Sequence, residues 1–487
     1  MKTQEEKIRH LFRRYGLGAS PAEIELGMKL GIEGSLKHLI EYEQVDEQFP
    51  VHPFEFCWRD KSEADPGAYN FRQWWVFRLL ATKRPLQEKM TVFWHNHFAV
   101  SEGKVEDGPI MLYYLQTLRQ HATGKFGDLL KAVSTTPALM RYLDLQRAYR
   151  GHPNENFARE VMELFTLGIG NYTEKDIQEA SRALTGWSYV HLYYEFPGNN
   201  DVKLRESLKY ERPFAAFAYL EAMRDPTEKT ILGKKGDIDG YELLQMLAEH
   251  PITAKNISRK MWELLVYPDP APQLVDRIAK VFLKSKGDIK AVLYAMAKQP
   301  EFWSEKAERA IVKSPVDFVI PICRQQGVGD ALMALRDPKA TPETRINQKI
   351  PDNLWGIQYR MEMSGMSLLY PPDVSGWDWG ESWASPAAMV ERMRFRGAMM
   401  YGDNAAGAGA QTALDYIKKS LPASSEAIGE SLLRLFDVNL HEDQKAVLTA
   451  LIERSGGLKV LDDPRGWVNV MDRAMTVLVA APEAHMC

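Results

Sequence analysis

Apolar residues recur every three to four positions along most of the chain, the spacing that places them on one face of an α-helix. The clearest runs cover residues 68–82, 85–100, 153–167, 173–186 and 251–266. Prolines at the starts of such runs and glycines after their ends are typical helix boundaries. The pattern therefore predicts a mainly α-helical fold.

One stretch departs from this helical pattern. Residues 187–235 are irregular, and the segment 189–196 within them is rich in aromatic residues, which favours a strand. We expect at most one small β ribbon near 187–235, which is too little for a sheet-based fold. A second irregular stretch, 364–386, is rich in tryptophan, proline and glycine and is predicted to be a loop.

The domain organisation follows from the length and from one break in the helical pattern. The chain has 487 residues, enough for two to four domains of about 100–200 residues each. We predict a single large α-helical domain over residues 1–400. The glycine- and alanine-rich stretch 401–411 has the composition of a short linker, and 412–487 is expected to be a small helical C-terminal extension.

Composition excludes several classes of protein. Apolar residues make up 45% and charged residues 26%, which are ordinary globular values and exclude wholesale disorder. A net charge of −4 argues against a broadly basic nucleic-acid binder. The three scattered cysteines, Cys57, Cys323 and Cys487, cannot form a disulfide framework or a Cys-based zinc ribbon.

No stretch of about 18 apolar residues occurs, and the first residues lack the apolar core of a secretory signal. We therefore expect no membrane span and a cytoplasmic location. The balanced charge likewise leads us to expect no nucleic-acid partner. The oligomeric state is not predicted.

The first candidate for chemistry is the tripeptide His95-Asn96-His97. Two histidines at short spacing suggest metal ligands or a proton-transfer pair. On a helix, however, residues i and i+2 lie about 200° apart and cannot easily hold one ion. Two interpretations stay open: catalytic or ligand use of His95 and His97, or two half-buried histidines packed between aromatic residues.

The second candidate is the helix expected to begin at Pro153 or Asn154. Glu155, Arg159 and Glu163 follow one another at i, i+4 and i+8, so each carboxylate is within reach of the central guanidinium. Three interpretations stay open: a solvated face, a buried structural network, or a site where an arginine-held carboxylate acts as base or ligand.

The third candidate is the loop 371–383, where three tryptophans alternate with carboxylates. Aromatic rings stack on sugars and carboxylates bind their hydroxyls, whereas the competing interpretation is a loop whose tryptophans fill gaps between helices. The side chains predicted to contact substrate in this loop and beside the other two candidates are Asn96, Asn154, Asp373, Trp377 and Trp379.

These segments are also where the sequence resembles a known family. Residues 86–98, 153–187 and 371–383 resemble the bacterial family catalogued as domain of unknown function 1800. The resemblance implies a mostly α-helical unit over roughly residues 8–400 and carries no established reaction. It also implies a possible protein partner encoded nearby, because the genes of relatives often neighbour a second family related to sulfatases.

The chain departs from this family pattern in two ways. Many relatives appear exported, whereas no export signal is recognisable here. Relatives often carry a His-Asp pair before a lysine where this chain reads Arg224-Asp225-Pro226-Thr227-Glu228-Lys229. If that histidine binds metal in relatives, the ligand has been lost here.

Two functions are predicted from these features. The first is a hydrolase-like enzyme acting on a sugar- or phosphate-bearing substrate, in which His95 or His97 is the acid/base or ligand and Arg159 orients a carboxylate of Glu155 or Glu163. Its cofactor is unknown, although a divalent metal is possible. The alternative is a non-catalytic helical interaction or assembly module. Convergence of these residues in one pocket would favour the enzyme.

Overall fold

The structure is a computed structural model, and it describes residues 3–18, 20–60, 63–192, 202–203, 205, 214–400 and 405–487, with backbone alone at 396–400 and 405–409. These residues form a mainly α-helical protein, so the fold class predicted from periodicity is confirmed. Within the part of the chain described, no helix combines the length and the apolar character needed to cross a membrane.

Ten helices, α1 to α10, precede the first strand among the described residues. In chain order they are Gln4–Tyr15, Pro21–Ile40, Ala68–Ala81, Pro85–His97, Glu102–Val105, Gly108–Gln120, Phe126–Ser134, Pro137–Tyr142, Glu155–Met162 and Glu174–Ala183.

The helices after the strands are numbered α11 to α22. In chain order they are Gly240–Glu249, Pro251–Leu265, Pro272–Lys284, Ile289–Ala297, Pro315–Gln325, Val328–Ala334, Lys349–Met363, Pro386–Met400, Ala405–Lys419, Ser425–Phe436, Glu442–Arg454 and Pro464–Ala480.

Among the described residues, four short strands lie in the region where a ribbon was expected. Strand β1, Trp187–His191, pairs antiparallel with β2, Ala215–Tyr219. Strands β3, Lys229–Ile231, and β4, Lys234–Gly236, form a second antiparallel pair. The small β content near 187–235 is thus confirmed, as two ribbons instead of one. The end of the expected strand, from 193 to 196, lies outside the described residues.

Helix α4 lies at the centre of the core. Every residue of it except Gln87 is buried. Its one carboxylate, Glu88, accepts hydrogen bonds from Arg78 Nε at 2.9 Å, from Arg119 Nη2 at 2.8 Å and from Trp75 Nε1 at 3.1 Å. A fully buried carboxylate needs such partners, because an unpaired charge in the interior costs several kcal/mol, about 3–5 when one partner of a pair is removed. Polar residues on α4 are therefore expected to be paired.

The last helices are attached to the rest of the protein at several points. Arg13 Nε in α1 lies 2.8 Å from Asp437 Oδ2, directly after α20. Val312 and Met486 form an isolated antiparallel β-bridge. Of the predicted linker 401–411, residues 405–411 form the start of α19, and residues 401–404 lie outside the described part of the chain. The division of the chain at 401–411 stays a prediction.

Candidate functional site

The tripeptide His95-Asn96-His97 forms the last turn of α4, and all three side chains are buried. Because successive residues of a helix point about 100° apart, the three side chains face three different parts of the chain. Each of them hydrogen-bonds the backbone of a distant segment. We call this tripeptide the clamp.

The first clamp residue, His95, uses both ring nitrogens. The Leu369 N–H donates to Nε2 at 3.0 Å, and Nδ1 lies 3.1 Å from the Tyr114 hydroxyl. Since that hydroxyl donates its own proton to the Phe98 carbonyl at 2.8 Å, Nδ1 carries the ring proton. Burial, with a smaller contribution from Arg72, lowers the pKa of His95 to about 3. His95 is therefore a neutral, fully bonded core histidine.

The second clamp residue, Asn96, pairs with one residue of the tryptophan loop. Its Oδ1 accepts from the Trp377 N–H at 2.6 Å, and its Nδ2 donates to the Trp377 carbonyl at 3.3 Å. The preceding Gly376 has φ of 84°, and a Cβ there would lie 2.3 Å from Asn96 Oδ1. Only glycine allows this close approach. Asn96 therefore holds the loop against α4.

The third clamp residue, His97, contacts an unusual turn that follows α9. Residues Glu163–Leu167 form a short π-helix, a rare conformation that is frequent at functional sites. A helix end leaves four carbonyls without an intrahelical donor, and here a side chain satisfies each of them. The pairs are Lys260 with Leu164 (3.1 Å), His97 with Phe165 (3.1 Å), Asn256 with Thr166 (2.8 Å) and Asn171 with Leu167 (3.1 Å).

The protonation of His97 follows from these bonds. Because Nε2 donates to the Phe165 carbonyl, Nδ1 is the acceptor for Lys260 Nζ, 3.3 Å away. Burial, reinforced by the charge of Lys260, holds the pKa of His97 well below its usual range. Burial, with the nearby Arg259, lowers the pKa of Lys260 to about 8. His97 is thus neutral, and both of its nitrogens are engaged.

The predicted Glu155-Arg159-Glu163 stripe is arranged differently from the expectation. Arg159 turns away from its own helix and makes a bidentate ion pair with Glu174 at the start of α10, with N–O distances of 2.9 and 2.7 Å. Glu155 is exposed at the surface. The central guanidinium therefore joins α9 to α10 instead of bridging the two carboxylates of its own helix.

Glu163 has a different partner, because the Tyr172 hydroxyl donates to its carboxylate. Burial, and then the contact with Glu163, raise the pKa of Tyr172 to about 12. The neighbouring Glu160 also has a raised pKa, through burial and then through repulsion from Glu163. These two carboxylates are the nearest approach to an acid/base pair on α9 and its π-turn.

Asn154 has the geometry of a helix cap. Its Oδ1 accepts from the Phe157 N–H at 3.2 Å, and its Nδ2 donates to the Leu143 carbonyl at 2.9 Å. An asparagine in this position satisfies one of the free N–H groups of the first turn. Both ends of the Asn154 amide are used in this way.

The remaining predicted substrate contacts lie in the tryptophan loop. Asp373 is exposed and accepts from the Ser375 N–H at 2.8 Å, which closes an Asx turn. Trp377 is buried against the His95 ring, with centroids 5.3 Å apart, whereas Trp379 is 37% exposed. Trp377 thus belongs to the core, whereas Trp379 lies at the protein surface.

The segment in which relatives often carry a His-Asp pair forms ion pairs of its own. Asp225 accepts from Arg182 Nε at 2.9 Å, and Arg224 pairs with Asp237 at 2.6 Å. Lys229 Nζ donates to the Asp225 carbonyl at 2.8 Å. These contacts attach β3 to α10.

The structure therefore brings the three candidate segments together. The contacts run from the Asn96 and His97 side chains to backbone groups of Trp377 and Phe165. His95 and His97 are sealed in the core, whereas Glu155 and Arg159 lie at the surface. Among the described residues, no group of three or more His, Cys, Asp or Glu side chains is placed to hold a metal ion. Tyr114 and Lys260 contact the His95 and His97 rings of the clamp, and neither could be identified from sequence spacing.

The comparison with known proteins agrees with the resemblance of the clamp, α9 and tryptophan-loop segments. No curated protein and no solved structure matches this chain. A family model described as protein of unknown function (DUF1800) matches residues 10–485. The matched region extends beyond residue 400 and includes the C-terminal helices as well as all three candidate segments. The chain belongs to the DUF1800 family of proteins of unknown function.

Proposed function

We propose that this protein is a non-catalytic helical interaction module that docks a partner protein on an aromatic surface of α17. The observation that carries the proposal is a row of exposed apolar side chains on that helix. It consists of Trp355, Tyr359 and Met363, and we call it the α17 stripe.

The α17 stripe has the features of a binding surface. Trp355, Tyr359 and Met363 are spaced by four residues and are 55%, 37% and 46% exposed. The Trp355 and Tyr359 rings are stacked, with centroids 5.2 Å apart and planes inclined by 12°. Single exposed apolar residues are common, whereas contiguous ones mark interaction sites. Tryptophan and tyrosine are the residues that most often dominate binding energy at interfaces.

The charges beside the α17 stripe indicate what the partner presents. Arg360 Nη1 on α17 and Arg394 Nη1 on α18 share one carboxylate, Glu391, at 2.9 and 2.7 Å. Two guanidinium groups with one carboxylate leave a net positive charge in this cluster, and the Arg360 guanidinium lies 5.6 Å from the centre of the Tyr359 ring. The complementary partner is a protein helix with an apolar ridge flanked by acidic residues.

The bonding of the clamp supports a non-catalytic function. A metal ligand or a general base needs a free nitrogen lone pair or an exchangeable proton within reach of substrate. In His95 and His97 all four ring nitrogens are engaged with protein atoms. The same bonds explain the clamp as a device that joins three distant segments.

The test is calorimetric titration of the full chain with the purified product of an adjacent gene. We expect Trp355→Ser to raise the dissociation constant by about 30-fold or more, the effect of losing a dominant interface residue. Trp379→Ser, which removes another partly exposed tryptophan, is the matched control and should bind like wild type. Equal binding by wild type and Trp355→Ser would sink the proposal, as would no binding by wild type.

A hydrolase is the second candidate, and one observation favours it. The raised pKa of Glu160 beside Glu163 is the arrangement that a general acid requires. A screen with nitrophenyl glycosides and phosphate esters tests this function. Turnover that is lost in Glu160→Gln but kept in the exposed control Glu155→Gln would establish the hydrolase and displace the interaction module.

A further inference from the structure

A small cavity lies where α1, α15, α20 and α22 meet. It has a volume of about 30 Å³, with Arg13, Lys313 and Asp437 among its polar lining residues and Phe436 and Met475 among its apolar ones. A cavity volume of about 10–15 Å³ holds one water molecule, so this cavity has room for about two waters or a small ion. It is distinct from the α17 stripe.

Positive charge is in excess around this cavity. Two carboxylates, Asp317 and Asp437, lie among seven cationic side chains on four parts of the chain, and Glu308 and the Cys487 thiol act on some of the same cations. The cationic side chains are those of Arg9, Arg13, Arg14, Lys89, Arg309, Lys313 and Arg392. A buried charge without a counter-charge is costly, so an excess of this size calls for an anion.

The two carboxylates are already used. Asp437 pairs with Arg13 at 2.8 Å and with Arg309 at 3.5 Å, and Asp317 pairs with Lys89 at 3.4 Å. Each carboxylate is therefore already engaged in at least one ion pair.

Three of the cations have neutral partners in place of a carboxylate. Lys313 is 9% exposed, and its Nζ donates to the Ala484 carbonyl at 2.8 Å. Arg392, at 1% exposed, donates to the Lys313 carbonyl at 2.6 Å. Arg14, also 1% exposed, donates to the Ala307 carbonyl. No ion pair joins any of the three to an acidic residue within the described ranges.

The guanidinium groups also keep unused donors. Arg13 Nη1, and both Nε and Nη1 of Arg309, are buried and have no hydrogen-bond partner among the described atoms. The Arg13 side chain is only 10% exposed and lines the cavity. Guanidinium N–H groups in this fork geometry match the oxygens of phosphate and carboxylate groups.

We propose that this cavity binds one small oxyanion of the phosphate class, held by Arg13 and Lys313 with Arg309 behind them. Bound there, the anion supplies the missing counter-charge and accepts the unused guanidinium protons. It also joins α1 to the segment 309–313 before α15, because its ligands come from both. The proposal is independent of the function assigned to the α17 stripe.

The electrostatics of Lys313 agree with this arrangement. Burial, together with the charges of Arg309 and Arg13, lowers the pKa of Lys313 to about 8. A bound oxyanion opposes that effect by favouring the charged form of the lysine. The lysine then remains protonated and can bind the anion as a point charge at neutral pH.

Equilibrium dialysis of the full chain with radiolabelled inorganic phosphate, in a phosphate-free amine buffer, tests the proposal. We expect saturable binding of one phosphate per chain in wild type and competition by sulfate. Lys313→Met, which removes one charge and keeps the apolar stem, should bind at least tenfold more weakly. The matched control Lys298→Met removes a charge at an exposed position and should bind like wild type.

A second measurement covers the case in which Lys313→Met fails to fold. Phosphate should raise the urea midpoint of wild type with the logarithm of its concentration above the dissociation constant, since a ligand at 100 times that constant shifts the folding equilibrium by about 100-fold. Arg309→Gln should lose this shift. No saturable binding by wild type, equal binding by Lys313→Met or Arg309→Gln, or competition by chloride at equal concentration would each overturn the proposal.

Discussion

At the scale of single residues, the clamp shows why a histidine pair was ambiguous. His95 and His97 have the spacing of a metal site, but α4 is buried on every side and directs the two rings toward different partners. The sequence could indicate that the rings point apart, because that follows from helix geometry. It could not indicate that every nitrogen would find a protein partner.

The neutral histidines lead to a prediction about pH. Burial lowers the pKa of nine histidines and affects five of them most strongly. The pKa falls to about 2 to 4 in His10, His52, His95 and His485, and it lies well below the usual range in His97. In the unfolded chain they titrate near 6.5, so below that pH the unfolded state binds more protons. Stability should therefore be full above about pH 6.5 and fall steadily as the pH drops toward 4.

Urea unfolding at several pH values between 7.5 and 5 measures this slope. His95→Gln should reduce the slope by about one proton, or about 1.4 kcal/mol per pH unit, in the acidic half of the range. Val447→Ala, which changes an exposed side chain without a titratable group, is the control and should leave the slope unchanged. An unaltered slope in His95→Gln would mean that this ring is not buried in its neutral form.

At the scale of elements, the π-turn after α9 depends on residues from two other parts of the chain. Its carbonyls are satisfied by His97 from α4 and by Lys260 and Asn256 from α12. Periodicity predicted one helix over 153–167, and the structure divides it at Met162. The division could not be predicted, because the donors that stabilise the widened turn lie far away in sequence.

We predict that Lys260→Met loosens the π-turn. The substitution removes the donor to the Leu164 carbonyl and to His97 Nδ1, and a lost buried hydrogen-bond partner costs about 1–3 kcal/mol. Hydrogen exchange of the amides in 163–168 should speed up, and the urea midpoint should fall.

The control for this change is Lys255→Met, which lies on the same helix and pairs with Asp276 at the surface. It should alter neither measurement appreciably, because exposed ion pairs contribute about 0–1 kcal/mol. Equal effects of the two variants would remove the special role of Lys260.

At the scale of the whole molecule, the question is whether 412–487 behaves as a separate extension. Trp467 of α22 is buried and donates to the Ala410 carbonyl at 2.8 Å. The C-terminal helices also meet α1, where Arg9 Nη1 donates to the Arg434 carbonyl at 2.7 Å. Such contacts couple the two ends of the chain, and the family match over residues 10–485 spans them both.

We predict that Trp467→Ala destabilises α1 together with the C-terminal helices. Truncating a buried tryptophan costs about 3–5 kcal/mol of folding stability. Because Arg9 and Arg13 bind α1 to the C-terminal helices, α1 should lose stability together with those helices. Hydrogen exchange should accelerate in Gln4–Tyr15 as well as in Ser425–Phe436. Faster exchange in the C-terminal helices with unchanged protection of α1 would instead show an independent extension.

The sequence by itself determined the helical class of the fold, the position of the small β region and the family, because periodicity and short motifs are local properties. Only the tertiary structure decided the partners of the polar residues. Asn96 bonds Trp377, 281 positions away, and Arg159 pairs with Glu174 instead of with the carboxylates of its own helix. The physical reason is that a buried polar group bonds whichever backbone or side chain packing places beside it, and packing depends on the whole chain.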